Sequence, residues 1–294
     1  MYGDAMPGEN LTRKEAQDRA ALITVASYEV HLDLTSDEKT FGSTTKVKFS
    51  SSQVGASTFI DAITHSLQSV TLNGVQLDPS KVSDGVRIQL DNLAAENELV
   101  VEATANYMNT GEGLHRFVDP VDNEVYLYSQ FEVPDSRRMF TVFEQPDLKA
   151  TFQFNVTAPS YWKVVSNQTT PNPVKVDDKR SVWKFEPTPV ISSYITALIA
   201  GPYTETRSEL TSSNGKVVPL GVFSRASLAS FMDADYVFEK TRQGFEFFEK
   251  QFDQPYPFEK YDQLFVPEFN AGAMENAGAV TFTESYVFRG QVTD

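Results

Sequence analysis

The sequence contains no cysteine. Disulfide frameworks, thiolate zinc sites and thiol nucleophiles are therefore excluded. Histidine is scarce, with only His31, His65 and His115 in 294 residues. None has a second histidine four residues away, so there is no H-E-x-x-H zinc motif, and no Ser-His-Asp set can be assembled from residues so scattered. The phosphate-binding P-loop and the dinucleotide G-x-G-x-x-G are also missing, and TGEGLHRF (110–117) reads as a glycine-containing loop. Basic residues are in deficit, 25 against 40 acids, for a net charge of −15 and a pI of about 4.7. Phosphate backbones are held by clustered Lys and Arg, so nucleic acid is not an expected partner. No run approaches the roughly 18 apolar residues of a membrane span, and residues 1–25 lack the apolar centre of a signal peptide. A cytoplasmic protein without a membrane partner is the expectation. Three N-x-T sequons, at Asn10, Asn155 and Asn167, are too common a pattern to argue for secretion.

What is present is aromatic and strand-like. The chain holds 22 Phe and 12 Tyr, and 40% of it is hydrophobic, enough for two domains with real cores. A short amphipathic helix is expected over 11–21, with Thr12 and Glu15 spaced as a capping box. From Tyr28 the pattern turns to period two: YEVHLDLT, TTKVKFS, STFIDAI, then SVTLNGVQL with its Asn73-Gly74 hairpin signal. Similar runs recur to about residue 187 at roughly ten-residue spacing, which predicts an antiparallel β-sheet or sandwich. GPY (201–203) closes this region. A hairpin about Asn214-Gly215 then opens a second, α+β unit, so the expected domains are 1–207 and 208–294. One long helix is expected at 226–252, with Phe238, Phe245, Phe248 and Phe252 on one face and Pro255 and Pro257 beyond its end.

The chemistry is sought in FNAGAMENAGAVTF (269–282), where one acid, Glu275, sits among small residues before an alternating run. Composition alone allows a solvated turn entering a strand. A strand edge with small side chains also accepts an extended peptide through its free N–H and C=O groups, whatever the peptide sequence. A carboxylate beside that edge would then fix one end, and the only cation common to all peptides is the α-ammonium. Gln130 and Glu132, in SQFEVPDSRRMF (129–140), share one face of an expected strand. Alone they suit a polar strand face; opposite Glu275 they would complete a two-carboxylate socket. Each acid at about 4 Å would attract the ammonium by roughly 4 kcal/mol before desolvation. Arg137 and Arg138 read as structural partners for acids.

With these residues in view, the chain resembles the aminopeptidase N family of zinc metallopeptidases from about Leu11 to Asp294. GAMEN (272–276) is that family's exopeptidase motif, and YPFEKYDQLFVPEF (256–269), SQFE, the paired Arg137-Arg138 and GPY are also family-like. The resemblance implies a saddle-shaped β domain followed by the start of a thermolysin-like catalytic domain. It implies that Glu275 anchors the substrate's α-amino group with help from Glu132. Gln130 would line the first side-chain pocket, and Gly272, Ala273, Met274 and Asn276 would complete the backbone platform. The family's H-E-x-x-H, its distant zinc-binding Glu and its oxyanion-stabilising Tyr follow GAMEN downstream, so no catalytic residue and no zinc ligand is expected here. On this reading the chain is the N-terminal portion of a zinc aminopeptidase. It would be inactive alone and monomeric, and would recognise peptides with a free N-terminus. Ala277 stands where many relatives carry Trp, and FEQPD (143–147) replaces FDEPD, with structural consequences expected. An inactive relative used as a scaffold is disfavoured by the retained GAMEN and both acids. A bifunctional epoxide hydrolase is disfavoured by Glu132, where Gln would be expected.

Overall fold

A computed structural model describes residues 10–290. The outermost parts of the two expected domains, 1–9 and 291–294, lie outside the described residues. The architecture is mainly β, with three larger sheets and a two-stranded pair.

The largest sheet has eight strands. Their order is Val174–Lys175, Arg180–Lys184, Thr151–Pro159, Ile23–Asp33, Thr40–Ser51, Glu96–Asn106, Ser66–Leu72 and Val75–Leu77. The alternation read from the sequence becomes burial directly: along Thr40–Ser51, Phe41, Ser43, Thr45, Val47, Phe49 and Ser51 face inward. The core beneath is aromatic. Tyr28 stacks on Phe152 at 4.7 Å, and Phe140 meets both rings edge-on. Such pairs contribute about 0.5–1.5 kcal/mol beyond the area they bury. Asn73 and Gly74 adopt φ of 53° and 80°, the left-handed pair that a two-residue hairpin demands.

The first helix, Arg13–Leu22, has the expected reciprocal cap between Thr12 and Glu15. It is not amphipathic, however: its one buried residue is Arg19. The Arg19 guanidinium pairs with buried Asp61 at 2.7 Å and donates to the Gln145 side chain at 3.0 Å. A polar anchor therefore replaces the apolar face. Gln145 also donates to the Ala16 carbonyl, and neighbouring Glu144 accepts from the Arg137 N–H and the Ser193 hydroxyl. The FEQPD stretch is thus a structural joint.

Against this body lies a four-stranded antiparallel sheet, ordered Lys163–Ser166, Leu198–Gly201, Val125–Gln130 and Gly113–Val118. The last strand corrects the reading of 110–117 as a loop. Leu114 and His115 are adjacent and both buried, because the strand is covered on both faces, so no alternation marks it.

The third sheet is mixed and carries the candidate site. Its order is Thr204–Thr211, Val217–Ser224, Tyr261–Val266, Ala279–Thr283 and Ala273–Met274. The long helix is shorter than expected. Ala226–Phe231 forms a 3-10 turn, and the α-helix runs Ala234–Phe252 from an Asp233 cap. Glu249 of that helix accepts from the Ser212 hydroxyl and from the Ser213 and Tyr256 amides, pinning the helix to the first hairpin of the sheet. Among the described residues, no helix is long and apolar enough to cross a membrane.

Candidate functional site

Residues 272–276 lie at the outer edge of the third sheet. Ala273 and Met274 pair with Phe282 and Thr281 on one side, and among the described residues no strand pairs with their other side. The Thr283 N–H also donates to the Gly272 carbonyl at 3.0 Å. Period two then decides direction: Ala273 and Glu275 are exposed, whereas Met274 and Asn276 are buried. Met274 packs with Tyr126, Tyr128 and Phe269, which joins this edge to the four-stranded sheet. Asn276 closes the turn, its carbonyl accepting from the Ala279 N–H.

Two ties fix the ends of the segment. At its C-terminal side, the Asn167 amide donates to the carbonyls of Ile195 and Ala277, both at 2.9 Å, and the Ala277 N–H reaches the Ile195 carbonyl. Lys260, fully buried, donates to the Gly278 carbonyl at 2.8 Å and pairs with Asp262, which also holds Arg207. Burial pushes the Lys260 ammonium pKa down, against the opposing pull of Asp262. Gly278 is required: its φ is 72°, and a Cβ there would lie 2.6 Å from the Asn167 carbonyl oxygen. Small Ala277 fits this enclosed turn.

At the N-terminal side, His115 contacts Glu268 across 3.0 Å. The ring is 1% exposed and stacks on Tyr128 at 4.8 Å. The Tyr128 hydroxyl donates to the Glu268 carbonyl, Phe269 meets the Tyr128 ring edge-on, and the Asn270 amide donates to the Thr110 carbonyl. Burial pushes the His115 pKa down, partly offset by the Glu268 carboxylate. No sequence signal pointed to this contact, because its partners lie 153 residues apart.

Gln130 ends its strand opposite Gly113, half-buried. Glu132 does not share a strand face with it, as expected from the sequence, but lies in the following turn, exposed, its N–H directed at the Gln130 side-chain oxygen at 3.5 Å. The structure therefore brings together the segments that carry the predicted residues. Among the described residues, no hydrogen bond or ion pair engages the Glu132 or Glu275 carboxylate. Arg137 is buried and hydrogen-bonded to Asn10, in keeping with a structural role. Among the described residues, no group of three His, Cys, Asp or Glu is placed to hold a metal ion.

Two family matches account for most of the chain. The Peptidase M1 N-terminal domain matches residues 24–195, and the Peptidase family M1 domain matches 236–292. The chain is 58% identical to Aminopeptidase N of Streptomyces lividans over 292 residues, covering 98% of this chain and 33% of that protein. It is 28% identical to Probable aminopeptidase 1 of Sulfurisphaera tokodaii over 90% of its length, covering 32% of that protein. It is also 34% identical to Aminopeptidase N of Canis lupus familiaris over 55% of its length, covering 16% of that protein. The chain thus spans a third or less of these relatives. With both M1 domains matched in order along one chain, it belongs to the M1 peptidase family, the family of aminopeptidase N.

Proposed function

We propose that this chain is the N-terminal portion of a zinc-dependent aminopeptidase and supplies the recognition of the substrate's free N-terminus. The observation that carries the reading is the edge formed by Ala273 and Met274, paired on one side only among the described residues, with Glu275 exposed next to it. An extended peptide would pair along this edge, and its α-ammonium would be held by Glu275 with Glu132 as the second acid. Gln130 would bound the pocket for the first side chain. Gly272, Ala273, Met274 and Asn276 would form the backbone platform.

Zinc and its ligands would belong to a part of the enzyme outside these residues. On this reading the isolated chain is inactive and monomeric. The enzyme acts in the cytoplasm on peptides, without nucleic-acid or membrane partners.

The test uses the enzyme complete with its zinc half. Glu275→Ala leaves an ammonium desolvated and half-paired, a loss of roughly 2–5 kcal/mol, or about 30- to several-thousand-fold in kcat/KM. Glu132→Ala is also harmful, and the double variant falls short of the sum because both acids hold one charge. N-acetylated peptides are expected to be poor substrates of the parent enzyme and to lose much less on mutation. Equal cleavage of acetylated and free peptides by the parent would refute the ammonium socket.

A further inference from the structure

The C-terminal tie on the 268–278 segment is made of backbone carbonyls and buried side chains. The N-terminal tie centres on the His115 ring, beside the Tyr128 and Asn270 hydrogen bonds. Gly111 donates its N–H to His115 Nδ1 at 3.0 Å, so Nδ1 carries a lone pair and the ring hydrogen resides on Nε2. Nε2–H then donates to Glu268 Oε2 at 3.0 Å. Glu268 is held in the left-handed region, φ 53°. A non-glycine residue keeps that conformation only where its surroundings over-determine it. Here those surroundings are the His115 ring on the side chain and the Tyr128 hydroxyl on the carbonyl. Gly111 is itself left-handed at φ 82°, and a Cβ there would collide with the Asn270 amide, so the two loops interlock closely.

His115 lies on the strand Gly113–Val118, whose partner strand ends at Gln130, two residues before Glu132. Glu268 lies on the segment that leads to Glu275. We propose that His115 is a positioning residue: its neutral, Nε2-protonated ring is a strut that sets the spacing between the strand pair bearing Gln130 and the edge bearing Glu275. The consequence for substrate rests on the ammonium reading above; the strut itself does not. Without it, Glu268 relaxes towards ordinary backbone conformations and residues 269–276 shift with it.

The strut is tested on the 294-residue chain without ligand, by residue-resolved amide exchange. His115→Leu is expected to speed exchange over 270–276 by about tenfold, the worth of a charge-assisted hydrogen bond. Strands 40–51 and 96–106 should be unchanged. His115→Gln, which keeps a donor near Nε2, recovers part of the protection. If His115→Leu does not fold, Glu268→Ala serves instead: its side chain is 57% exposed, and the same local pattern is expected. Where both single variants fold, the double variant adds nothing to either. Unchanged exchange over 270–276 in Glu268→Ala, or an equal rise across the large sheet, overturns the strut. In the enzyme with its zinc half, His115→Leu should raise KM for a free-amine dipeptide more than it lowers kcat, with partial rescue by Gln. An unchanged KM overturns the positioning role. Because the exchange experiment contains no ligand, it can succeed where the acetylation test of the ammonium reading fails, and the reverse.

Discussion

The aromatic residues of the eight-stranded sheet and those of the helix Ala234–Phe252 meet opposite fates. Tyr28, Phe41, Phe49, Phe152 and Phe154 are sealed in a continuous core. On the helix, Phe238 is buried and Phe245 half-buried, but Phe247, Phe248 and Phe252 are 59%, 53% and 70% exposed. Phe245, Phe248 and Phe252 line an apolar groove of about 580 Å³ with Tyr256 and Tyr261. Both regions have the hydrophobic spacing appropriate to their secondary structure. Spacing says which face is apolar; whether that face is covered depends on what packs against it. The sheet finds its cover within the chain, whereas among the aromatic residues of the helix Phe238 is covered and Phe245 covered in part.

The largest expected effect is in the sheet. Phe152→Ala removes a ring stacked on Tyr28 and should cost about 3–5 kcal/mol, read as a lowered urea midpoint. Native-like stability would mean that the stacked core is not what holds this region. The second test compares the regions within one sample. Amides of helix 234–252 should exchange at least about tenfold faster than those of strands 40–51 and 96–106, because exposed aromatic surface contributes little to holding the helix down. Equal protection would erase the contrast.

A third test asks whether the sheet region is itself uniform. Its first helix is anchored by polar groups, and the Arg87 hydrogen bond, helped by Thr12 and opposed by burial, holds the Glu15 carboxyl down at about 2. A carboxylate with a depressed folded pKa stabilises fully above its unfolded value, and that contribution is lost as pH falls from about 4.5 through about 2. Amides of Arg13–Leu22 should therefore lose protection in this window before the sheet does, and Glu15→Gln should remove that pH dependence. The smallest effect belongs to the helix face: Phe252→Ala should change stability by no more than about 0.5 kcal/mol, since the ring is largely in solvent. A loss comparable with Phe152→Ala would show that the ring is covered in solution.

The sequence made local regularities legible and left long-range ones hidden. Asn73-Gly74 announced its hairpin because only such residues tolerate two successive left-handed conformations. Thr12 and Glu15 announced a helix start through their spacing. The outward direction of Glu275 follows from alternation through 273–276. The parallel pairing of Ile23–Asp33 with Thr151–Pro159 leaves no local trace, since either strand would look the same beside another neighbour. Strand Gly113–Val118 escaped notice because burial on both faces removes the alternation by which strands are read. Glu132 fell in a turn because the strand before it stops at Gln130. The burial of Arg19 depends on Asp61 and Gln145, which only the fold brings near.

The sequons acquire a meaning that composition could not give them. Asn155 and Asn167 are 6% and 3% exposed, and the Asn167 amide nitrogen is committed to two carbonyls. A sugar attached to that nitrogen would have no room and would take the place of a hydrogen the fold uses. Glycosylation at Asn167 and the native joint at Ala277 are therefore mutually exclusive. Produced through a glycosylating secretory route, chains modified there before folding would lack that joint, while chains that fold first would be shielded from the transferase at this position. Asn10, by contrast, is exposed. The choice of expression host would thus select between two populations of one polypeptide, separable by the mass of a single glycan.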